Sequence, residues 1–176
     1  MMNYPFDFLS ALKITLKFEG GLNNDPKDSG GLTNFGITQS VYNTYRNFKK
    51  KNLQSVELIT PEEYKEIYYK NYWQAGYCYD SSFSSPLNYL HFDTCVNLGP
   101  KRGIMILQEA VGAVQDGVFG YETKSKIICK SYELSILDYV SSRKRFYVFL
   151  AQKKPEKYDC FLKGWIRRAN YFLGLI

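Results

Sequence analysis

After residue 19 the sequence changes character abruptly, and that change constrains the fold more than any other feature. Leu9, Leu12 and Leu16 recur at helical spacing, with Phe6 and Phe8 beside them, which is the stripe of an amphipathic helix of roughly three to four turns. The stripe stops at Gly20-Gly21. From there to Thr38 the chain is rich in Gly, Asn, Asp and Ser, with Asp25-Pro26 and Ser29-Gly30-Gly31 as turn signals. Such a stretch cannot be helical. Leu32 to Thr38 suits a short strand, so a small hairpin or sheet is expected there.

Downstream, helix starts and stops follow one another to the end. Thr38 can cap a helix in which Val41, Tyr42 and Tyr45 share a face, and Thr60-Pro61-Glu62-Glu63 has the form of a capping box with proline at the first helical position. The helix it starts would bury Tyr64, Ile67, Tyr68 and Tyr72. Ser85-Pro86 repeats the start signal, Leu87, Leu90, Thr94 and Leu98 lie along one stripe with Asp93 and Asn97 on a neighbouring face, and Gly99-Pro100 ends it. Ile104, Leu107 and Val111 mark a further helix closed at Gly112, Gln115-Asp116-Gly117 reads as a turn, and Thr123 to Ile128 begins a short helix. A long one is expected from Tyr132 to Pro155, and a last one over about residues 158–173. The fold class is therefore mainly α, a helical bundle with one small β excursion near the N-terminus. No repeat or low-complexity linker divides it.

Composition narrows the chemistry more than the fold. A net charge of +6 draws the surface toward polyanions, among them nucleic acid, anionic lipid and bacterial cell wall, and does not choose among them. Runs such as Lys49-Lys50-Lys51 read most simply as solvated surface. Sixteen Tyr and twelve Phe are too many for a cleft alone, so most belong in a core. Cys78, Cys95, Cys129 and Cys160 are scattered without a close pair in sequence and read as reduced thiols; with His91 the one histidine, no metal site and no cofactor are expected. The N-terminus carries no secretory pattern and no segment approaches membrane-spanning length. A cytoplasmically made protein without an integral membrane segment is expected, reaching any extracytoplasmic substrate through a holin, lysis or a dedicated secretion route.

Glu19 is the residue that helix design does not explain. It lies three residues after Leu16 and seven after Leu12, so it prolongs the apolar stripe, where desolvation disfavours an anion. It also sits at a helix C-terminus, where the macrodipole favours a cation. An acid on the buried face, at the wrong end of a helix and beside two glycines that leave room for a ligand, suggests a proton donor. A surface glutamate at a frayed end is the plain alternative. Glycoside hydrolysis needs a second carboxylate across the scissile bond; Asp25 and Asp28 lie in the polar excursion that folds back past the helix end, and either could face Glu19. Turn chemistry alone also accounts for both.

The run Glu19-Gly20-Gly21, Asn24-Asp25-Pro26, Asp28, Gly30-Gly31, Thr33-Asn34, Gly36-Ile37-Thr38 resembles the opening of the glycoside hydrolase family 108 muramidases, a group of phage endolysins and bacterial secretion activators. The likeness continues through Tyr72-Trp73, Asp93, Asn97 and Gly99. Leu107-Gln108, Asp116-Gly117, Gly120 and Thr123, with Gly164-Trp165 and Arg168, look like the family's C-terminal peptidoglycan-binding region. The resemblance implies a lysozyme-like α+β fold, with a catalytic lobe over residues 1–99 and a helical peptidoglycan-binding region over 100–176 packed on it as one compact unit. It implies cleavage of the β-1,4 bond between N-acetylmuramic acid and N-acetylglucosamine, with Glu19 as the catalytic acid. By analogy with phage-type lysozymes, Asp28 and Thr33 are assigned beside it. The interval between them is one residue shorter than in that pattern, so Asp25 stays open as the second carboxylate.

Other positions carry two readings. Tyr42 and Trp73 would stack on sugar rings or fill the core. Asp93 and Asn97, one helical turn apart, would bind sugar hydroxyls or acetamido groups, or else hold the hairpin backbone; Asn34 is a further candidate contact. Asp116-Gly117 and Gly120 fit a turn better than a ligand site. Trp165 is expected in the core, and Arg167 and Arg168 on a solvated or wall-facing side. Bacterial peptidoglycan is the expected partner of a monomer. A non-catalytic wall binder is the first rival, and a nucleic-acid binder the second; the latter is disfavoured because Lys and Arg are spread along the chain.

Overall fold

The structure, a computed structural model, describes residues 3–22 and 31–176. Helix α1 spans Phe6–Thr15, four residues shorter than the apolar stripe suggests. Its end tightens: the amide of Lys17 donates to Ile14 O at 3.1 Å and that of Phe18 to Thr15 O at 2.9 Å, the i→i+3 pattern that closes many helices. Glu19 still hangs from the helix, its amide donating to Thr15 O at 3.3 Å.

The expected hairpin is present in its smallest form. Strands β1 (Thr33–Asn34) and β2 (Ile37–Thr38) pair antiparallel, Thr33 opposite Thr38 and Asn34 opposite Ile37. The two residues between them, Phe35 and Gly36, have φ of 48° and 70°. Positive φ at both central positions is the two-residue turn that matches strand twist. Thr38 ends the hairpin and caps α2 (Gln39–Phe48), accepting from Val41 N. At α3 (Pro61–Tyr68) the capping box forms in full, with Thr60 and Glu63 exchanging hydrogen bonds, a feature worth about 1 kcal/mol. The helix runs on through a π-helical turn, Tyr69–Gln74.

Helix α4 (Leu87–Leu98) follows Pro86, and Gly99 at φ 83° turns the chain into α5 (Pro100–Val111), which Gly112 closes in the left-handed region. Gln108 then organises the next turn, its amide donating to Asp116, Val118 O and Thr123 and its carbonyl accepting from Gly117 N. Helices α6 (Tyr121–Cys129), α7 (Tyr132–Lys153) and α8 (Pro155–Tyr171) complete the bundle. Among the described residues no helix is long and apolar enough to cross a membrane.

Two apolar clusters meet along α4. One is aromatic, with Phe8 edge-on to both Trp73 and Phe92; the other, among α4, α5, α7 and α8, contains Leu90, Ile104, Leu107, Ile136 and Tyr147. Packed from both sides, α4 is buried nearly all round, including Asn88, His91, Asp93 and Thr94. The single stripe expected for it is corrected accordingly. Polar groups in such a place must find partners. His91 does so with the Tyr139 hydroxyl at 2.6 Å and Gly76 O at 2.8 Å.

Candidate active site

Glu19 lies where α1 ends, against the hairpin turn and α8. Its side chain is 18% exposed, mostly buried but still reached by solvent. The turn approaches so closely that a Cβ on Gly36 would stand 2.6 Å from Glu19 Oε2 and 2.7 Å from the Tyr68 hydroxyl. Glycine is thus required there for space as well as for its positive φ. Tyr68 fixes the turn by donating to Phe35 O at 2.7 Å. Burial, and then the charge of Glu19, push the hydroxyls of Tyr68 and Tyr72 above the ordinary tyrosine range, so both stay neutral donors beside the carboxyl group.

The surroundings expected for Glu19, apolar and hostile to an anion, are corrected by the structure: a cation from the far end of the chain stands against its carboxyl group. Arg168 Nη2 stands 2.8 Å from Glu19 Oε1. The same guanidinium is bonded to Asp93 through Nε (3.0 and 3.1 Å) and Nη2 (2.8 Å), and it lies over the Phe18 ring. Behind Asp93, Arg143 Nη2 makes a second ion pair at 2.7 Å. A charge ladder therefore runs outward from the interior: Arg143, Asp93, Arg168, Glu19. Burial pushes the Asp93 carboxyl up, but the two guanidiniums outweigh it and hold it below the usual carboxylate range. Burial likewise opposes the charge on Arg168, and Asp93 and Glu19 more than restore it. The interior pairing fixes the guanidinium, and the guanidinium fixes the orientation of Glu19.

The structure separates the sequence candidates. Glu19 is partly exposed; Thr33 lies on β1, half-buried, with its hydroxyl donating to Gly31 O at 3.0 Å. Asp25 and Asp28 lie outside the described residues. Tyr42 and Trp73 are core residues with no ring face left for a sugar, Tyr42 donating from its hydroxyl to Glu63 at 2.7 Å. Asn34 is also corrected to a structural role, its buried amide donating to Val56 O and Glu57 O and so tying the hairpin to the loop before α3. Asp93 is 0% exposed and saturated by arginines, so it neither touches substrate nor holds the hairpin. Asn97 accepts from the Tyr147 hydroxyl at 2.7 Å and remains partly open.

Arg168, placed by sequence on a solvated face, is buried in the ladder. Nothing local in the sequence signals this, because its partners lie about 75 and 150 positions away. Cysteine spacing misled in a similar way: α4 and the turn after α3 bring Cys78, His91 and Cys95 together, buried, with ligand atoms all within 4.8 Å of one another. Both ring nitrogens of His91 are already hydrogen-bonded there.

Comparison with known proteins agrees with this layout. Residues 12–99 match the family model described as glycosyl hydrolase 108, and residues 102–170 match one described as a predicted peptidoglycan domain. The solved structure of Brucella abortus SagA superposes with a TM-score of 0.77 at 26% identity, covering 95% of this chain and 91% of that one. No curated protein sequence matches the chain. Glu19 and Asp93 come from the first matched segment and Arg143 and Arg168 from the second, so the charge ladder joins the two.

Proposed function

This chain belongs to the glycosyl hydrolase 108 family and carries a predicted peptidoglycan domain; from that premise we propose that it cleaves the β-1,4 bond between N-acetylmuramic acid and N-acetylglucosamine, with Glu19 as general acid. The observation that carries the reading is the Glu19 carboxyl itself, held by Gly36 and Arg168 yet still partly exposed. A positioned carboxylic acid beside the scissile bond protonates the leaving oxygen while positive charge develops on the sugar ring. Arg168 at 2.8 Å holds the Glu19 carboxyl in position beside that bond. The second carboxylate in this scheme is Asp28, with Asp25 as the alternative, and Thr33 stands on the strand that follows them. One of these acids stabilises the oxocarbenium-like transition state or activates water.

The test is to digest purified peptidoglycan, reduce the new ends with borohydride and identify the reduced sugar by mass. Reduced muramic acid is the expected product. Reduced glucosamine would assign the cut to the other glycosidic bond, and no new reducing ends would favour a wall binder that does not cut.

A further inference from the structure

Beyond Glu19, on the far side of Arg168, the end of α1 and the outer face of α8 enclose a cavity of about 320 Å³ walled by Lys17, Asn97, Phe161, Gly164, Trp165 and Arg167. A second hollow of about 580 Å³ adjoins it along α8, sharing Gly164 and Arg167 and adding Lys163 and Asn170. No Asp or Glu lines either one. Lys17, Lys163 and Arg167 have no carboxylate partner among the described residues, whereas the charge of Arg168 is taken by Glu19 and Asp93. Lys17 donates to the Tyr171 hydroxyl at 3.1 Å, so Lys163 and Arg167 are the uncommitted cations around a concave surface without an acid, which forms a site for an anion.

Two further observations point to a ligand. Gly164 lies inside α8, yet nothing stands within 4 Å of where its Cβ would be. Packing does not require glycine there, and glycine weakens a helix; its missing side chain keeps the floor open where the two hollows meet. The wall above is aromatic and held in place: Trp165 stacks on Tyr147 at 5.1 Å and on Phe161 at 5.8 Å. Asn97 spends its carbonyl on the Tyr147 hydroxyl, which leaves its amide as a donor to a guest.

We infer that this groove binds the carboxylate-bearing peptide attached to the glycan, with Arg167 and Lys163 meeting its acids and Trp165 and Phe161 its methyl groups. The inference rests on the reading of Glu19 as the acid of a glycan-cutting site, since Arg168 forms a wall of the groove and also touches Glu19. It makes α8 a determinant of substrate choice, favouring strands that still carry their peptides.

The experiment compares cleavage of peptide-bearing glycan with that of the same glycan stripped of peptides by an amidase, for wild type, Arg167→Ala and Gly164→Leu. Arg167 is exposed and Gly164 faces open space, so both variants should fold. Removing a charge-assisted contact should raise KM about tenfold on the peptide-bearing strands and leave kcat, and all kinetics on stripped strands, unchanged. Equal effects on both substrates, or none on either, would overturn the inference. Repeating the assay on wall freed of phosphate polymers separates the other anion source: an effect that vanishes with those polymers also overturns it. If wild type releases no reducing ends from either glycan, the proposed function falls first, and this inference with it.

Discussion

Asp93 and Glu66 are both acids held by two cations, in different settings. Asp93 has no exposed surface, and its partners are arginines from α7 and α8, Arg143 as a close ion pair and Arg168 through a planar fork that meets the carboxylate along fixed directions. Glu66, on α3, takes Lys49 at 2.7 Å and Lys70 at 3.0 Å, lysines 31% and 38% exposed, and accepts from the Tyr45 hydroxyl at 2.9 Å. Inside, an ion pair is mandatory once present, because losing one member strands the other charges away from water. Glu66 is itself buried, at 8% exposure, but its lysines reach solvent, where water and rotamer freedom replace part of what is lost. The inner network therefore sets geometry, and Glu19 inherits that geometry through Arg168.

The sharpest way to break the contrast is Asp93→Asn. With two guanidiniums facing a neutral amide, unfolding free energy measured by urea titration should fall by about 3–5 kcal/mol; a loss under about 1 kcal/mol would put the ladder on the same footing as the lysine pairs of Glu66. For Glu66→Gln, whose lysines reach solvent, the same titration should show a smaller loss than for Asp93→Asn, and a loss as large as that of Asp93→Asn would erase the distinction.

Acid sharpens the comparison further. Burial pushes the Glu66 carboxyl up, but Lys49, Lys70 and Tyr45 outweigh it and bring it to about 2, below the ordinary 4.5; Asp93 is lowered too. A depressed carboxyl stabilises the fold fully above its unfolded value and loses that contribution as pH falls through its folded value. Wild-type Tm should therefore drop between about pH 4.5 and 2, and the Glu66→Gln variant, lacking one of these titrations, should drop less steeply. Parallel Tm curves would show that Glu66 contributes nothing to acid sensitivity.

What the sequence disclosed follows from range. The Thr60 capping box, the Thr38 cap, Gly112 as a helix end and the hairpin after Leu32 are all local, and each stands where its few residues predict. The position of Glu19 just past the end of α1 is legible for the same reason. The sequence leaves Tyr42 and Trp73 open between sugar contact and core, and offers Asn34 as a ligand contact, because exposure is not a local property; packing of α2, α3 and the hairpin buries all three. Arg168, which holds Glu19, carries no local mark at all. Its role arises when α8 packs against α4 and the end of α1, a consequence of the whole fold.

The most direct test of the central claim is turnover of Glu19→Gln on peptidoglycan, read alongside its urea unfolding curve. Arg168 keeps Asp93 in this variant, so stability should stay within about 1 kcal/mol of wild type, while the rate of reducing-end release falls by about two to four orders of magnitude. A folded variant that still cuts at the wild-type rate would contradict the account.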